Sequence, residues 1–143
     1  MKILGIDHGD ARIGLALSDD LGMMAHPLET VDARVAPDAL LGKIAAVVTG
    51  KGVERVVLGL PRNMDGSYGP AAAKVRQFGA ALQARIGDIK VIFWDERMTT
   101  RQAQRSLHDA GRNTKNSRKV IDQVAAVIIL QNYLDAQAGT ADF

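Results

Sequence analysis

The chain has no cysteine among its 143 residues. A disulfide scaffold, a thiolate zinc site and a cysteine nucleophile are therefore excluded. Aromatic residues are scarce, with one Trp, two Tyr and three Phe making 4% of the chain, so base stacking is not expected to dominate any nucleic-acid surface. No apolar run approaches the ~20 residues of a membrane span. The opening Met1-Lys2-Ile3-Leu4-Gly5-Ile6-Asp7 carries a single base and soon meets an acid, unlike a secretory leader. His8, His26 and His108 have no metal-ligand spacing, and no Walker A pattern is present. No repeat, low-complexity tract or linker divides the sequence. What remains is 47% hydrophobic and 24% charged, the composition of an ordinary folded domain. The chain is long enough to bury a sizeable core. One soluble, cytoplasmic domain over residues 1–143 is the expectation.

The formal net charge is only +2, but it is unevenly spread. Between Arg97 and Lys119 stand seven bases (Arg97, Arg101, Arg105, Arg112, Lys115, Arg118, Lys119) and one acid, Asp109, a local charge of +6 against −4 elsewhere. Such a run is commonly a solvated helix face. On a nearly neutral protein it also suits an anionic partner such as nucleic acid.

Hydrophobic periodicity supplies the element order. Lys2–Asp7 alternates and ends in the polar turn His8-Gly9-Asp10. Arg12–Ser18 places Ile13, Leu15 and Leu17 on one face and Gly14, Ala16 and Ser18 on the other, a second strand hairpinned to the first. Pro27–Val31 is a weaker third strand. Pro37–Gly50 has helical spacing. Arg55–Leu60 is an almost unbroken apolar run, as for a strand buried on both faces. After the polar loop Pro61–Gly69, Pro70 suits the first position of a helix to about Ile86. Lys90–Trp94 is another buried strand. Thr99 with Gln102 forms a capping-box pattern for a helix ending near Gly111. A basic loop follows, and Asn116 or Ser117 caps a last helix that carries Asp122 in its first or second turn. The order βββαβαβαα, with right-handed crossovers, predicts an α/β, RNase H-like fold: a mixed five-stranded sheet with helices on its faces.

In that arrangement the first, fourth and fifth strands run parallel, and their carboxyl ends share one edge, where open α/β sheets place their sites. Asp7 ends the first strand, and Asp95 and Glu96 end the fifth. The last helix brings Asp122, in an otherwise apolar stretch whose Ala125 and Ala126 permit close approach to the sheet. An acid on such a surface is costly if buried alone. Converging carboxylates need a cation, and hard oxygen donors favour Mg²⁺ or Mn²⁺, which serve phosphodiester hydrolysis. Each acid also has a plain structural reading: Asp7 as a turn former, Glu96 as a surface partner of Arg97, Asp122 as an acid near a helix N-terminus. Adjacent strand residues face opposite ways, so only one of Asp95 and Glu96 can join Asp7, and spacing does not choose between them. Asp10, Asp19 and Asp65 read as turn or surface acids. Arg62, Asn63 and Ser67 in the loop, Arg97 and Thr99 after the fifth strand, and Arg112, Lys115, Arg118 and Lys119 are candidates for contacting a phosphate backbone.

Four stretches carry a family resemblance: Gly5-Ile6-Asp7-His8-Gly9 with Arg12-Ile13-Gly14; Gly59-Leu60-Pro61-Arg62-Asn63-Met64-Asp65-Gly66-Ser67; Asp95-Glu96-Arg97-Met98-Thr99-Thr100; and Ile121-Asp122-Gln123-Val124-Ala125-Ala126 with Ile129-Leu130-Gln131. In order and over nearly the whole chain, they resemble the YqgF family, also called RuvX. The resemblance implies a cytoplasmic nuclease maturing the 5′ end of pre-16S rRNA in ribosome biogenesis. It also implies that Asp7, Glu96 and Asp122 are the catalytic, metal-holding acids. RuvC-type junction resolvases carry a further acid one helical turn after the last-helix Asp, and here that place is Ala125. Precursor rRNA is therefore the expected substrate, ahead of branched DNA. Two other classes are a non-catalytic RNA-binding factor using the basic run, and a nucleotide-binding module suggested by Asp7-x-Gly9. The actin-like enzymes that share this last feature clamp ATP between two such domains, where this chain has length for one.

Overall fold

The central strand of the sheet has two personalities, and its alternation organises everything around it. The structure, a computed structural model, describes residues 1–63, 65–95 and 114–141, with the backbone alone at 114–122 and 139–141. Five strands, β1 (Ile3–His8), β2 (Arg12–Ser18), β3 (Ala25–Asp32), β4 (Arg55–Leu60) and β5 (Lys90–Asp95), form one sheet in the order β3-β2-β1-β4-β5. β1, β2 and β3 are antiparallel neighbours, while β1, β4 and β5 run parallel. The helices are α1 (Pro37–Gly50), α2 (Pro70–Ile86) and α3 (Thr114–Ala141). This is the mixed five-stranded α/β sheet that the hydrophobic pattern predicts. The helix expected between Thr99 and Gly111 lies outside the described residues.

Local chemistry sets the punctuation. At the β1–β2 turn the Gly9 N–H donates to the Arg12 carbonyl at 3.0 Å. A Cβ at Gly9 would stand 2.6 Å from that oxygen, so glycine is required there. Pro37 and Pro70 open α1 and α2, where a missing N–H costs nothing. α2 stops at Gly87, whose φ of 67° suits a residue without a side chain.

Along β1, Leu4 and Ile6 face α1 and α2, in a core with Ile13, Leu15 and Leu58 of the sheet, Ile44 of α1 and Leu82 of α2. Ile3 faces the other way, with Ala16 and Val57, against Ala126, Ile129 and Leu130 of α3. Gly5 lies on this second face, directly beneath α3. Side-chain bonds then fix the direction of α3. Gln131 accepts from the N–H of Ala25, the first residue of β3, at 2.9 Å and donates to the carbonyl of Met23, two residues before it. Gln123 donates to Thr30 Oγ1 at 3.1 Å, near the end of that strand. α3 therefore runs antiparallel to β3, and so to β1.

Two expectations need correction. β3 starts at Ala25, two residues before Pro27, and runs to Asp32. Pro27 is tolerated inside it because β3 is an edge strand. α3 begins at Thr114, ahead of the expected caps Asn116 and Ser117. Lys115, Arg118 and Lys119 are good helix formers, and the helix extends back through them. Asp122 is then the ninth helical residue, beyond the first turn within which the helix dipole acts.

The seat of α3 can be tested directly. A Cβ at Gly5 would lie 2.7 Å from Leu130 Cβ and 3.1 Å from the Ala126 carbonyl oxygen. Neither atom is the end of a flexible side chain, so the whole helix must lift. Gly5→Ala is expected to destabilise the fold by about 1–3 kcal/mol, read as a lower urea midpoint. A midpoint equal to the wild type would show that α3 does not sit on this residue.

Candidate active edge of the sheet

Asp7 is the penultimate residue of β1, half-buried, on the α3 face of the sheet. Its partner across the β1–β2 ladder is Gly14, which adds no side chain beside it. Two residues of strand separate Gly5 from Asp7, about 6.6 Å. Four residues of helix separate Ala126 from Asp122, about 6 Å. Since Ala126 sits over Gly5 and the two elements run in opposite directions, the Asp122 backbone stands level with Asp7. The alanine step at Ala125 and Ala126, both buried, is what lets the helix come this close.

Asp95 belongs elsewhere. It pairs with Leu60 in the β4–β5 register, and Leu60 lies in the core beneath α1 and α2. Its carboxylate is bound by Arg62 Nη1 at 2.9 Å. The pleat thus turns Asp95 to the face opposite Asp7. Asp10 pairs with Lys74 at 3.2 Å, and Asp19 caps the Met23 and Met24 N–H groups, so both are surface or turn acids, as expected. Glu96, Arg97, Thr99 and Arg112 lie outside the described residues, as do the side chains of Lys115, Arg118, Lys119 and Asp122. Among the described residues, no three His or carboxylate groups stand close enough to hold a metal ion.

The loop after β4 is tied to itself. Arg62 donates through Nε and Nη2 to the Gly66 carbonyl at 2.9 and 2.7 Å while its third nitrogen holds Asp95. Its hydrogen bond to Asp95 raises its already high pKa. The Asn63 N–H donates to the Ser67 carbonyl at 2.8 Å, and Asn63 Nδ2 donates to Ser67 Oγ at 3.1 Å. Ser67 in turn donates through N–H and Oγ to Asp65 Oδ1 at 2.9 and 2.6 Å. Asn63 and Ser67, two of the three loop residues expected at a phosphate, thus bind each other, while the third, Arg62, ties the loop at Gly66 to Asp95 and braces the exits of β4 and β5 together. The exposed Tyr68 ring lies between two guanidiniums, Arg62 at 5.1 Å and Arg76 at 4.7 Å. Sequence reasoning missed Arg76, an ordinary helix residue until α2 folds back beside the loop. His8, next to Asp7, faces α2 with its ring 4.8 Å from Phe78. Burial lowers the His8 pKa, partly offset by Asp10.

A three-stranded meander, two parallel strands added beyond it and a last helix laid over an acid on the central strand define an RNase H-like protein. The chain belongs to the RuvX family, described as Holliday junction resolvase, which matches residues 1–136. A relative from Acetivibrio thermocellus, named "Putative pre-16S rRNA nuclease", is 47% identical over 137 residues, covering 96% of this chain and 97% of its own. One of the same name from Nocardioides sp. is 49% identical over 139 residues, covering 96% and 89%. Among solved structures, Thermus thermophilus RuvC in complex with a Holliday junction substrate superposes with a TM-score of 0.62 at 18% identity, covering 98% of this chain and 97% of that one. This last likeness is one of fold.

The bracing of the loop predicts a titration. Hydrogen bonds from the Ser67 side chain, then its backbone, hold the Asp65 carboxyl below its ordinary range. A depressed pKa in the folded state means that the order the loop gains from these bonds is complete above about pH 3.9. It is lost as pH falls through the lower folded value. By NMR, Ser67→Ala should raise the Asp65 pKa toward the ordinary value. An unmoved titration would show that Ser67 does not hold the carboxylate.

Proposed function

We propose that this protein is a divalent-metal-dependent nuclease of the cytoplasm that processes the 5′ end of precursor 16S rRNA. Residues 1–143 act as one nuclease domain, with Asp7, Glu96 and Asp122 as its metal-holding acids. The observation that carries the reading is the level placement of Asp7 and the Asp122 backbone at the carboxyl edge of the sheet, in a family whose relatives bear the rRNA nuclease name. Asp95 is engaged by Arg62 on the opposite face, which leaves Glu96 as the acid from the end of β5.

The donor chemistry fits a hard cation. The acids offer oxygen ligands only, the chain has no thiolate, and Asp7 sits half-buried across the ladder from a glycine. Asp7, Glu96 and Asp122 would hold Mg²⁺ or Mn²⁺. When bound, the ion supplies Lewis acidity at the phosphodiester and lowers the pKa of the attacking water. The rest is done by the chain. Three negative charges gathered at one edge favour a cation there, and positive charge just outside it draws the nucleic-acid backbone in. Positions 115, 118, 119 and 122 of α3 follow helical spacing and continue the stripe of Ala126 and Leu130. That stripe is apolar over the sheet, acidic at its edge with Asp122, and basic beyond it with Lys119, Arg118 and Lys115. A phosphate backbone led along it passes the acids. Arg62, Asn63 and Ser67 act by holding the neighbouring loop in shape.

Junction resolution is the second reading, favoured by the family description. Ala125, buried against the sheet, stands where a RuvC-type site carries its further acid, and so precursor rRNA is preferred. A Mn²⁺-dependent assay of precursor rRNA bearing its 5′ leader against a four-way junction decides between them. Symmetric nicking of the junction with an intact leader would reverse the order.

Asp7→Asn, Glu96→Gln and Asp122→Asn should each cut metal-dependent cleavage by more than about 100-fold, beyond the ~10–100-fold typical of residues that merely support a ligand, with the fold retained by circular dichroism. Wild-type rates in all three would leave a binding factor. Replacing Arg112, Lys115, Arg118 and Lys119 together by Ala should flatten the log–log salt dependence of single-stranded RNA binding by about 3, from ~0.7 per phosphate contact. An unchanged slope would make the basic run a solvated face.

A further inference from the structure

The carboxyl edge of the sheet has a second opening, on the face opposite Asp7. A cleft of about 310 Å³ lies between the end of β1, α1 and α2. Its walls are apolar, with Val35, Leu40 and Leu41 among them. Two rings line it, His8 from β1 and Phe78 from α2, with centroids 4.8 Å apart and planes tilted by 48°. Two polar side chains stand at its rim, Lys74 and Gln77, on one face of α2. The Gln77 amide has no partner among the described residues. Lys74 pairs with Asp10 at 3.2 Å, but these side chains are 60% and 80% exposed, and such pairs are weak enough to exchange for another anion.

Size and chemistry narrow the occupant. The volume is at the low end of the ~300–1,000 Å³ range of small-ligand sites, which suits one nucleotide and not a folded segment. Apolar walls with two rings fit the faces of a base. An amide that both donates and accepts fits its hydrogen-bonding edge. An ammonium at the rim complements a phosphate. An acyl chain or an apolar peptide side chain would draw no hydrogen bond from Gln77 and no charge contact from Lys74. Location ties the cleft to the edge already described. Asp7 and His8 are consecutive, with Cα atoms about 3.8 Å apart, and alternation sends them to opposite faces of the same strand end. A nucleotide chain passing Asp7 can turn a neighbouring base around the strand end, provided that base is unstacked. Single-stranded RNA allows this and duplex does not.

We infer that the cleft receives one unstacked base of the RNA chain whose backbone passes Asp7, with His8 and Phe78 against the base, Gln77 at its edge and Lys74 at its phosphate. The identity of that chain rests on the nuclease reading. The site makes the enzyme select single-stranded substrate next to the cut.

The test uses the full chain carrying Asp7→Asn, so that RNA stays intact, and measures binding by fluorescence anisotropy. The probes are a short single-stranded RNA and the same chain with abasic residues. The RNA should bind at least about 10-fold more tightly than the abasic chain, the size expected for one stacked base. Ala81→Phe, which fills the cleft from α2, and Gln77→Ala should each remove most of that difference while leaving abasic binding unchanged. Amide shifts on adding RNA should include positions 77, 78 and 81. Equal binding of the two probes, a comparison that needs no cleft variant, would overturn the inference. So would folded cleft variants that keep the difference, or a free nucleoside monophosphate bound in the cleft and not displaced by RNA. Cleavage by the wild type is scored separately. Asp7-dependent cleavage with cleft-independent binding removes this inference alone. Cleft-dependent binding without wild-type cleavage removes the nuclease reading alone.

Discussion

The contact between α3 and Gly5 of β1 is the constraint on which the rest depends. The helix sits so low that its Ala126 carbonyl and Leu130 Cβ occupy the space where any side chain at position 5 would be. Small residues on both elements permit this, and side-chain bonds at each end of β3 lock the helix in register. Close packing of this kind has little freedom to slide. One turn of helix and two residues of strand then advance by nearly the same distance, and an acid on each arrives at the same height. The candidate site is a consequence of how α3 is seated, with no loop needed to bring its two ends together.

β1 divides the work between the two faces of the sheet. Its even residues build the larger core under α1 and α2, and its odd residues meet α3. Asp7 and His8, adjacent in sequence, therefore open onto different surroundings at one edge. The first stands between a glycine and the last helix; the second stands in an apolar cleft against Phe78. The loop after β4 closes the edge from the side. Its Arg62 spans from Gly66 to Asp95, so that the exits of the two outer parallel strands move as one piece.

Much of the fold was legible in the residues. The alternation of Ile13, Leu15 and Leu17 against Gly14, Ala16 and Ser18 marks β2, and the pairing register places those two sets on the two faces as read. Pro37, Pro70 and Gly87 mark helix ends because their backbone preferences are intrinsic. The start of α3 was misread because Asn116 and Ser117 are good caps in isolation, and nothing local says that the helix continues past them to Thr114. The loop residues Arg62, Asn63 and Ser67 read as candidate ligand contacts because a polar side chain in sequence does not reveal its partners within the fold. There Asn63 bonds to Ser67, and Arg62 bonds to Gly66 and Asp95.

What the sequence determined by itself is whatever depends on short-range periodicity and residue chemistry. That covers the element order, the mixed sheet, the absence of thiol chemistry and the presence of acids at strand ends. Which acids meet is a long-range matter. Spacing left Asp95 and Glu96 equal, and it is the pairing with Leu60 that places Asp95 on the α1 and α2 face of the sheet, away from Asp7. Arg76 beside Tyr68 and the cleft beside His8 exist only once α2 folds back along the sheet. Each joins residues whose neighbours in the chain carry no trace of the contact, because a side chain's surroundings are set by the strand register and the seating of the helices, which arise only when the whole chain packs.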